Sequence, residues 1–262
     1  MTSAEIEPAA ALFTGMGVSI EALVDGCGQP VVMVPSLGRS AEDYSDLADR
    51  LVSAGYRAVR VRPRGLGASR GPDGPLTLWD LAEDVALVIR ELGGPAVVIG
   101  HAFGQRVVRA LAVRHPELVK GIVMLAAGGK VPPSAEAKRS LDCCFSPVES
   151  ADHHLECVRH AFFADGNDPS PWQGGWHVDL ARAQDAADNA TPSSAWWHAG
   201  ETRLLVVQGL QDIIAVPENG RLLKSEFGDR VTLVELDGAG HALLPEKPAE
   251  IASTILSFMA AL

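Results

Sequence analysis

The chain has 262 residues, 47% of them apolar and 21% charged, with a net charge of −11. That length suits one large domain, or a domain with an insertion, and it can bury a sizeable core. The acidic balance excludes the surplus of Lys and Arg on which nucleic-acid or anionic-membrane binding draws, and no apolar stretch is long enough to span a bilayer. The segment Met1 to Pro8 carries neither a basic patch nor an apolar run, so no secretory signal is expected there. Of the four cysteines, Cys27, Cys143, Cys144 and Cys157, two are adjacent, a poor start for a disulfide framework. A reducing, cytoplasmic setting is expected.

In chain order, Val31 to Val34 reads as a short buried strand, and Tyr44, Leu47, Ala48 and Leu51 recur at helical spacing within 41–54. Tyr56 to Val61 reads as a strand and Pro63 to Gly67 as a turn. Thr77 opens a helix with Leu78, Leu81, Val85, Val88, Ile89 and Leu92 on one face, stopped by Gly93-Gly94. Ala96 to Ile99 is a strand, Phe103 to His115 a helix and Gly121 to Leu125 a strand. Two more strands, Leu204 to Gln208 and Val231 to Leu236, precede a last helix from Pro248. Strands alternating with helices predict an α/β fold: a mostly parallel central sheet flanked by helices, its chemistry at the carboxyl ends of the strands.

One stretch breaks the alternation. Between Lys130 and Gly200 there is no valine-rich strand, only helical sequence and four of the five tryptophans, Trp172, Trp176, Trp196 and Trp197. It predicts a helical cap, 130–200, inserted into a core formed by 1–129 and 201–262. Such a lid keeps water from a site and offers it an apolar wall. Tryptophans also serve as plain packing between a lid and its core.

Gly100-His101-Ala102-Phe103-Gly104 joins a strand to a helix through a sharp turn, with small residues at its flanks. Such a turn thrusts its central side chain above the sheet and aims the following helix N-terminus at the same spot. The motif resembles the nucleophile elbow, G-x-S-x-G, of the α/β-hydrolase superfamily, with Ala102 where the family has serine. Gly209-Leu-Gln-Asp212-Ile-Ile-Ala-Val-Pro217 resembles the family's acid loop, and Gly238-Ala-Gly-His241 follows the last strand, where the family carries its base. Arg64-Gly-Leu-Gly-Ala-Ser69 resembles its R-G-x-G-x-S turn. Val34-Pro-Ser-Leu-Gly38 takes the place of its H-G-x-x loop, with Pro35-Ser36 replacing His-Gly. The resemblance spans nearly the whole chain. It implies an α/β-hydrolase fold with Ala102, Asp212 and His241 at the catalytic positions and an oxyanion hole from the N–H groups of Leu37 and Phe103. Ser36, His101, Trp172, Trp176, Trp196 and Trp197 are then the candidate substrate-binding residues. Taken singly, Asp212 could also cap a helix and His241 could be a turn histidine.

A methyl group cannot attack a carbonyl, so Ala102 rules out the usual acyl-enzyme. Three readings stay open: a hydrolase disarmed by replacement of its serine; a naturally divergent enzyme in which His241, oriented by Asp212, is a general base; or a non-catalytic ligand-binding protein. The expected activity is hydrolysis of a small apolar ester, lactone or related carbonyl compound. The alternative is cofactor-free, non-hydrolytic chemistry through His241. The partner expected is a small hydrophobic or aromatic molecule, with no nucleic acid and no membrane; a homodimer is left open. No cofactor is implied, since Gly65-Leu-Gly67 lacks the third glycine of a dinucleotide loop and opens no helix. His153, Cys157 and His160 would share one helix face, near Cys143, Cys144 and His154. No paired motif completes a tetrahedral set, so no metal is expected.

Overall fold

The computed structural model describes residues 9–146 and 150–262; the expectation about a secretory signal falls on residues 1–8 and lies outside them. Among the described residues eight strands form one sheet: β1 (Ala9–Gly15), β2 (Val18–Asp25), β3 (Pro30–Val34), β4 (Arg57–Val61), β5 (Ala96–His101), β6 (Val119–Leu125), β7 (Leu204–Gly209) and β8 (Val231–Leu236). Their spatial order is β1-β2-β4-β3-β5-β6-β7-β8, parallel from β4 through β8 and antiparallel for the β1-β2-β4 edge. The expected mostly parallel sheet is therefore what forms. The β1–β2 hairpin is an addition to it. On β1 the inward residues Ala11, Phe13 and Gly15 are only half-buried, too weak an alternation to stand out, and the hairpin turns through Met16 and Gly17, both with positive φ (50° and 79°).

The helices cover both faces. α1 (Ser45–Ser53) and α8 (Pro248–Ala260) pack on one side, while α2 (Leu78–Glu91), α3 (Phe103–Arg114) and α7 (Glu218–Phe227) pack on the other. β5 shows why the strand reads as a continuous apolar run. Val97 and Ile99 face α1 and α8, Ala96 and Val98 face α2 and α3, and all four are fully buried. Thr77 starts α2 with a reciprocal capping box to Asp80, the boundary expected from sequence. The helix expected over 41–54 begins as a 3-10 turn, Ala41–Tyr44, before α1.

Between β6 and β7 the chain adds α4 (Ala135–Cys144), α5 (Ala151–Phe162) and α6 (Val178–Asn189), and among the described residues it contributes no strand. This insertion settles over the carboxyl edge of the sheet. The Gly38 N–H donates to Gln184 Oε1 (2.8 Å) and the His177 N–H to Gly38 O (2.9 Å), tying α6 to the loop after β3. One expectation needs correction. Cys143 and Cys157 are disulfide-bonded, with Cα atoms 5.8 Å apart, joining α4 to α5. The adjacent pair in the sequence is no obstacle, because Cys144 faces the apolar interior as a free thiol. Among the described residues no helix is long and apolar enough to cross a membrane.

Candidate active site

Parallel strands bring their carboxyl ends to one edge, and three turns that carry the expected site residues leave from β5, β7 and β8. At the first, Ala102 holds φ 47° and ψ −106°, a conformation that costs an L-residue about 1–3 kcal/mol. The surroundings enforce it. The Ala102 N–H donates to Leu125 O (2.8 Å), and neither neighbouring glycine has room for a side chain. A Cβ on Gly100 would lie 2.4 Å from the Gln105 backbone, and one on Gly104 would lie 2.2 Å from Val34 O. α3 therefore abuts the loop after β3, bringing Phe103 and Leu37 to one cavity. As the first residue of α3, Phe103 has no intrahelical acceptor for its N–H. Among the described residues neither that N–H nor the one on Leu37 makes a hydrogen bond.

At the second turn Asp212 is almost wholly buried, and its Oδ1 accepts the N–H groups of Ile214 and Ala215, both at 2.8 Å. These bonds build a tight turn and cap no helix, since α7 begins beyond Pro217. Asp212 Oδ2 stands 2.9 Å from Nδ1 of His241, which the third turn supplies. A carboxylate only accepts, so Nδ1 carries the proton of this bond, and in the neutral imidazole Nε2 is then the acceptor. His241 lines the cavity together with Ala102.

The cavity has a volume of about 330 Å³, at the small end for ligand sites. Ser36, Leu37, Phe103, Trp172 and Trp176 line it, but three residues expected there do not. His101 turns behind the site, donating from Nε2 to His241 O (2.8 Å) with Nδ1 left without a partner. Burial pushes its pKa down to about 3, so it stays neutral. Trp196 and Trp197 pack on α3, where the Arg109 guanidinium sits 4.7 Å from each ring. They fasten the insertion to the core. Nothing in their spacing separates them from Trp172 and Trp176; only the tertiary path of the insertion does.

Sequence reasoning missed three residues that hold this geometry. Gln208 bridges from β7, accepting the Ala127 N–H (3.1 Å) and donating to Ala215 O and, at 3.4 Å, to Asp212 Oδ2. The Glu246 carboxylate accepts from Gly240 N and Leu243 N beside His241, and from Ala164 N and Asn167 Nδ2 of the insertion. Arg39, 2% exposed, stacks 4.6 and 4.7 Å from the Trp172 and Trp176 rings. It also clamps Asp43 and donates to Gly174 O (2.7 Å). Arg39, flanked by Gly38 and Ser40 with Glu42 and Asp43 close behind, has nothing in its local sequence to set it apart.

The row His153, Cys157, His160 does not gather as one set. Cys143 takes the place of His160, with the ligand atoms of Cys143, His153 and Cys157 all within 4.8 Å of one another.

The sequence pattern of the alpha/beta hydrolase family matches residues 31–254. The chain is 31% identical over 258 residues to a Mycobacterium tuberculosis protein provisionally named non-heme bromoperoxidase BpoC, covering 90% of this chain and 95% of that one. It is 26% identical to the pyrethroid hydrolase of Sphingobium wenxiniae, over 82% of each chain. In three dimensions it is similar to a thermophilic esterase from Thermogutta terrifontis, with a TM-score of 0.76 and 21% identity, covering 97% of this chain and 98% of the esterase.

Proposed function

This chain belongs to the alpha/beta hydrolase family, and from that premise we propose that it hydrolyses a small apolar ester, lactone or related carbonyl compound with water as the nucleophile. The observation that carries the reading is His241, locked through Nδ1 on a buried Asp212 and opening onto a cavity whose nucleophile position holds only a methyl group. Nε2 takes a proton from water as the oxygen attacks the substrate carbonyl. The N–H groups of Leu37 and Phe103 hold the oxyanion that forms. The imidazolium, stabilised by Asp212, then returns its proton to the departing alkoxide, so that ester and water become acid and alcohol. Trp172, Trp176 and Phe162 supply an apolar wall suited to a hydrophobic or aromatic substrate, with α4 to α6 as a cap over it. The names of two relatives, a pyrethroid hydrolase and an esterase, support this substrate class.

The test compares the chain as it stands with His241→Ala and Ala102→Ser on short chromogenic esters, in water enriched in oxygen-18. The alanine form is expected to turn over slowly and to place the heavy oxygen in the product acid. His241→Ala should lose roughly 10²–10⁴-fold, the usual worth of a positioned base. Ala102→Ser should be faster and take a serine-directed phosphonate label. Equal background rates for the chain and His241→Ala would overturn the reading, whatever the serine form does.

A further inference from the structure

The insertion carries a second group of reactive side chains that the ester chemistry does not use. Cys143 on α4 and Cys157 on α5 are bonded across the helix pair, and His153, one turn before Cys157, places Nε2 3.9 Å from one sulfur and 3.8 Å from the other. The Cα separation of 5.8 Å lies in the middle of the range that a disulfide bridges without backbone movement. Cys157 is buried in the apolar cluster of the insertion, Cys143 is part-exposed and His153 lies at the surface. One sulfur and the imidazole are thus open to small reagents, while the other sulfur is held behind them. Two further residues tie this pair to the cavity. Leu141 and Phe145 stand two positions on either side of Cys143 and line the cavity wall, as does Phe162 at the end of α5.

We propose that Cys143 and Cys157 form a reversible thiol–disulfide site that sets the position of α4, and with it one wall of the cavity, in response to low-molecular-weight disulfides. In the reduced form His153 takes the proton of the Cys143 thiol. The thiolate attacks one sulfur of the small disulfide, forming a mixed disulfide and expelling one small thiolate. Cys157, losing its own proton, attacks the Cys143 sulfur, forming the intramolecular bond and expelling the second thiolate. Two protein thiols are oxidised and one small disulfide is reduced to two thiols. Oxidation fastens α4 to α5 and holds Leu141 and Phe145 against the site; reduction releases that fastening. Cys144 takes no part, because burial pushes its thiol up to about 12.

The experiment equilibrates the whole protein in glutathione buffers of graded ratio, quenches with a maleimide and maps the labels by mass spectrometry. Amide exchange over residues 135–146 is then followed in the fully oxidised and fully reduced forms. The proposal expects the Cys143 and Cys157 labels to rise together through one transition, leaving Cys27 constant. It expects exchange in α4 to quicken by about a hundredfold on reduction, the factor a disulfide closing a loop of this span supplies. Cys143→Ser should exchange like the reduced form under all buffers, and His153→Asn should slow oxidation without moving its midpoint. Stoichiometric zinc in the protein as purified, lost in Cys143→Ser, would overturn the proposal in favour of a metal site. So would a bond that no buffer opens, or identical α4 exchange in the two forms. None of these readouts depends on ester turnover, so they stand or fall apart from the hydrolytic reading.

Discussion

Ala102 keeps the strained backbone of an elbow although its side chain has nothing to deliver, because the strain is imposed from outside. Gly100 and Gly104 are packed against Gln105 and Val34, and the Ala102 N–H is spoken for by Leu125. Placing a hydroxyl at this position therefore needs no movement of the chain. In the Ala102→Ser background, Asp212→Asn should lower kcat by roughly 10⁴-fold with little change in KM, since an amide in place of the carboxylate favours the wrong imidazole tautomer. Steady-state kinetics of the double variant check this; a loss confined to KM would mean that Asp212 shapes the pocket instead. The turn residues themselves were legible because each sits beside glycines in a motif of fixed spacing after a strand. Gln208, Glu246 and Arg39 were not, because their partners are mostly backbone groups and rings, many of them 80 to 137 positions away, and no local pattern records such a partner.

At the level of elements the four tryptophans of the insertion divide by the surface each helix or turn meets. Trp172 ends a 3-10 turn over the cavity, and Trp176 follows it, donating Nε1–H to Trp172 O (2.6 Å). Trp196 and Trp197 lie after α6, against α3 and Gly129. Trp196→Ala should cost about 3–5 kcal/mol of stability and leave KM unchanged, as a buried ring removed from a core does. Trp172→Ala should instead change KM. Urea titration and kinetics on the two variants separate the roles. The helices flanking the sheet and the six parallel strands could be read from periodicity, since burial writes itself into composition. The β1–β2 hairpin could not, for β1 is a half-exposed edge strand and β2 breaks its buried centre with Glu21. The α4–α5 disulfide could not either, because pairing follows from how two helices cross.

One of the buried charge pairs among the described residues bears on the stability of the whole molecule. The Arg64 fork grips Asp84 at 2.6 Å through both oxygens, tying the turn after β4 to α2. Burial of Asp84 outweighs that partner and pushes its pKa up to about 6, against an ordinary 3.8. Between those two values the folded chain holds a proton that the unfolded chain has given up. This group therefore adds stability as the pH falls through 6 toward 4, by roughly 2–3 kcal/mol for a shift of this size. Asp84→Asn removes the dependence. Midpoints in urea for the chain and for Asp84→Asn should diverge in favour of the chain as the pH drops from 7 to 5, and a gap constant with pH would count against the buried pair as its source.

The strained backbone at Ala102 has a consequence for heredity. Every alanine codon becomes a serine codon by one change at its first base, and the backbone at Ala102 already has the conformation that a nucleophile there would need. A library of random single-base variants, selected for growth on an ester, should return that change first. Once Gly104 or Glu246 is lost, no such short path leads back, because the socket itself is gone. What separates a site that depends on water from one that could carry its own nucleophile is here a single oxygen atom on one side chain.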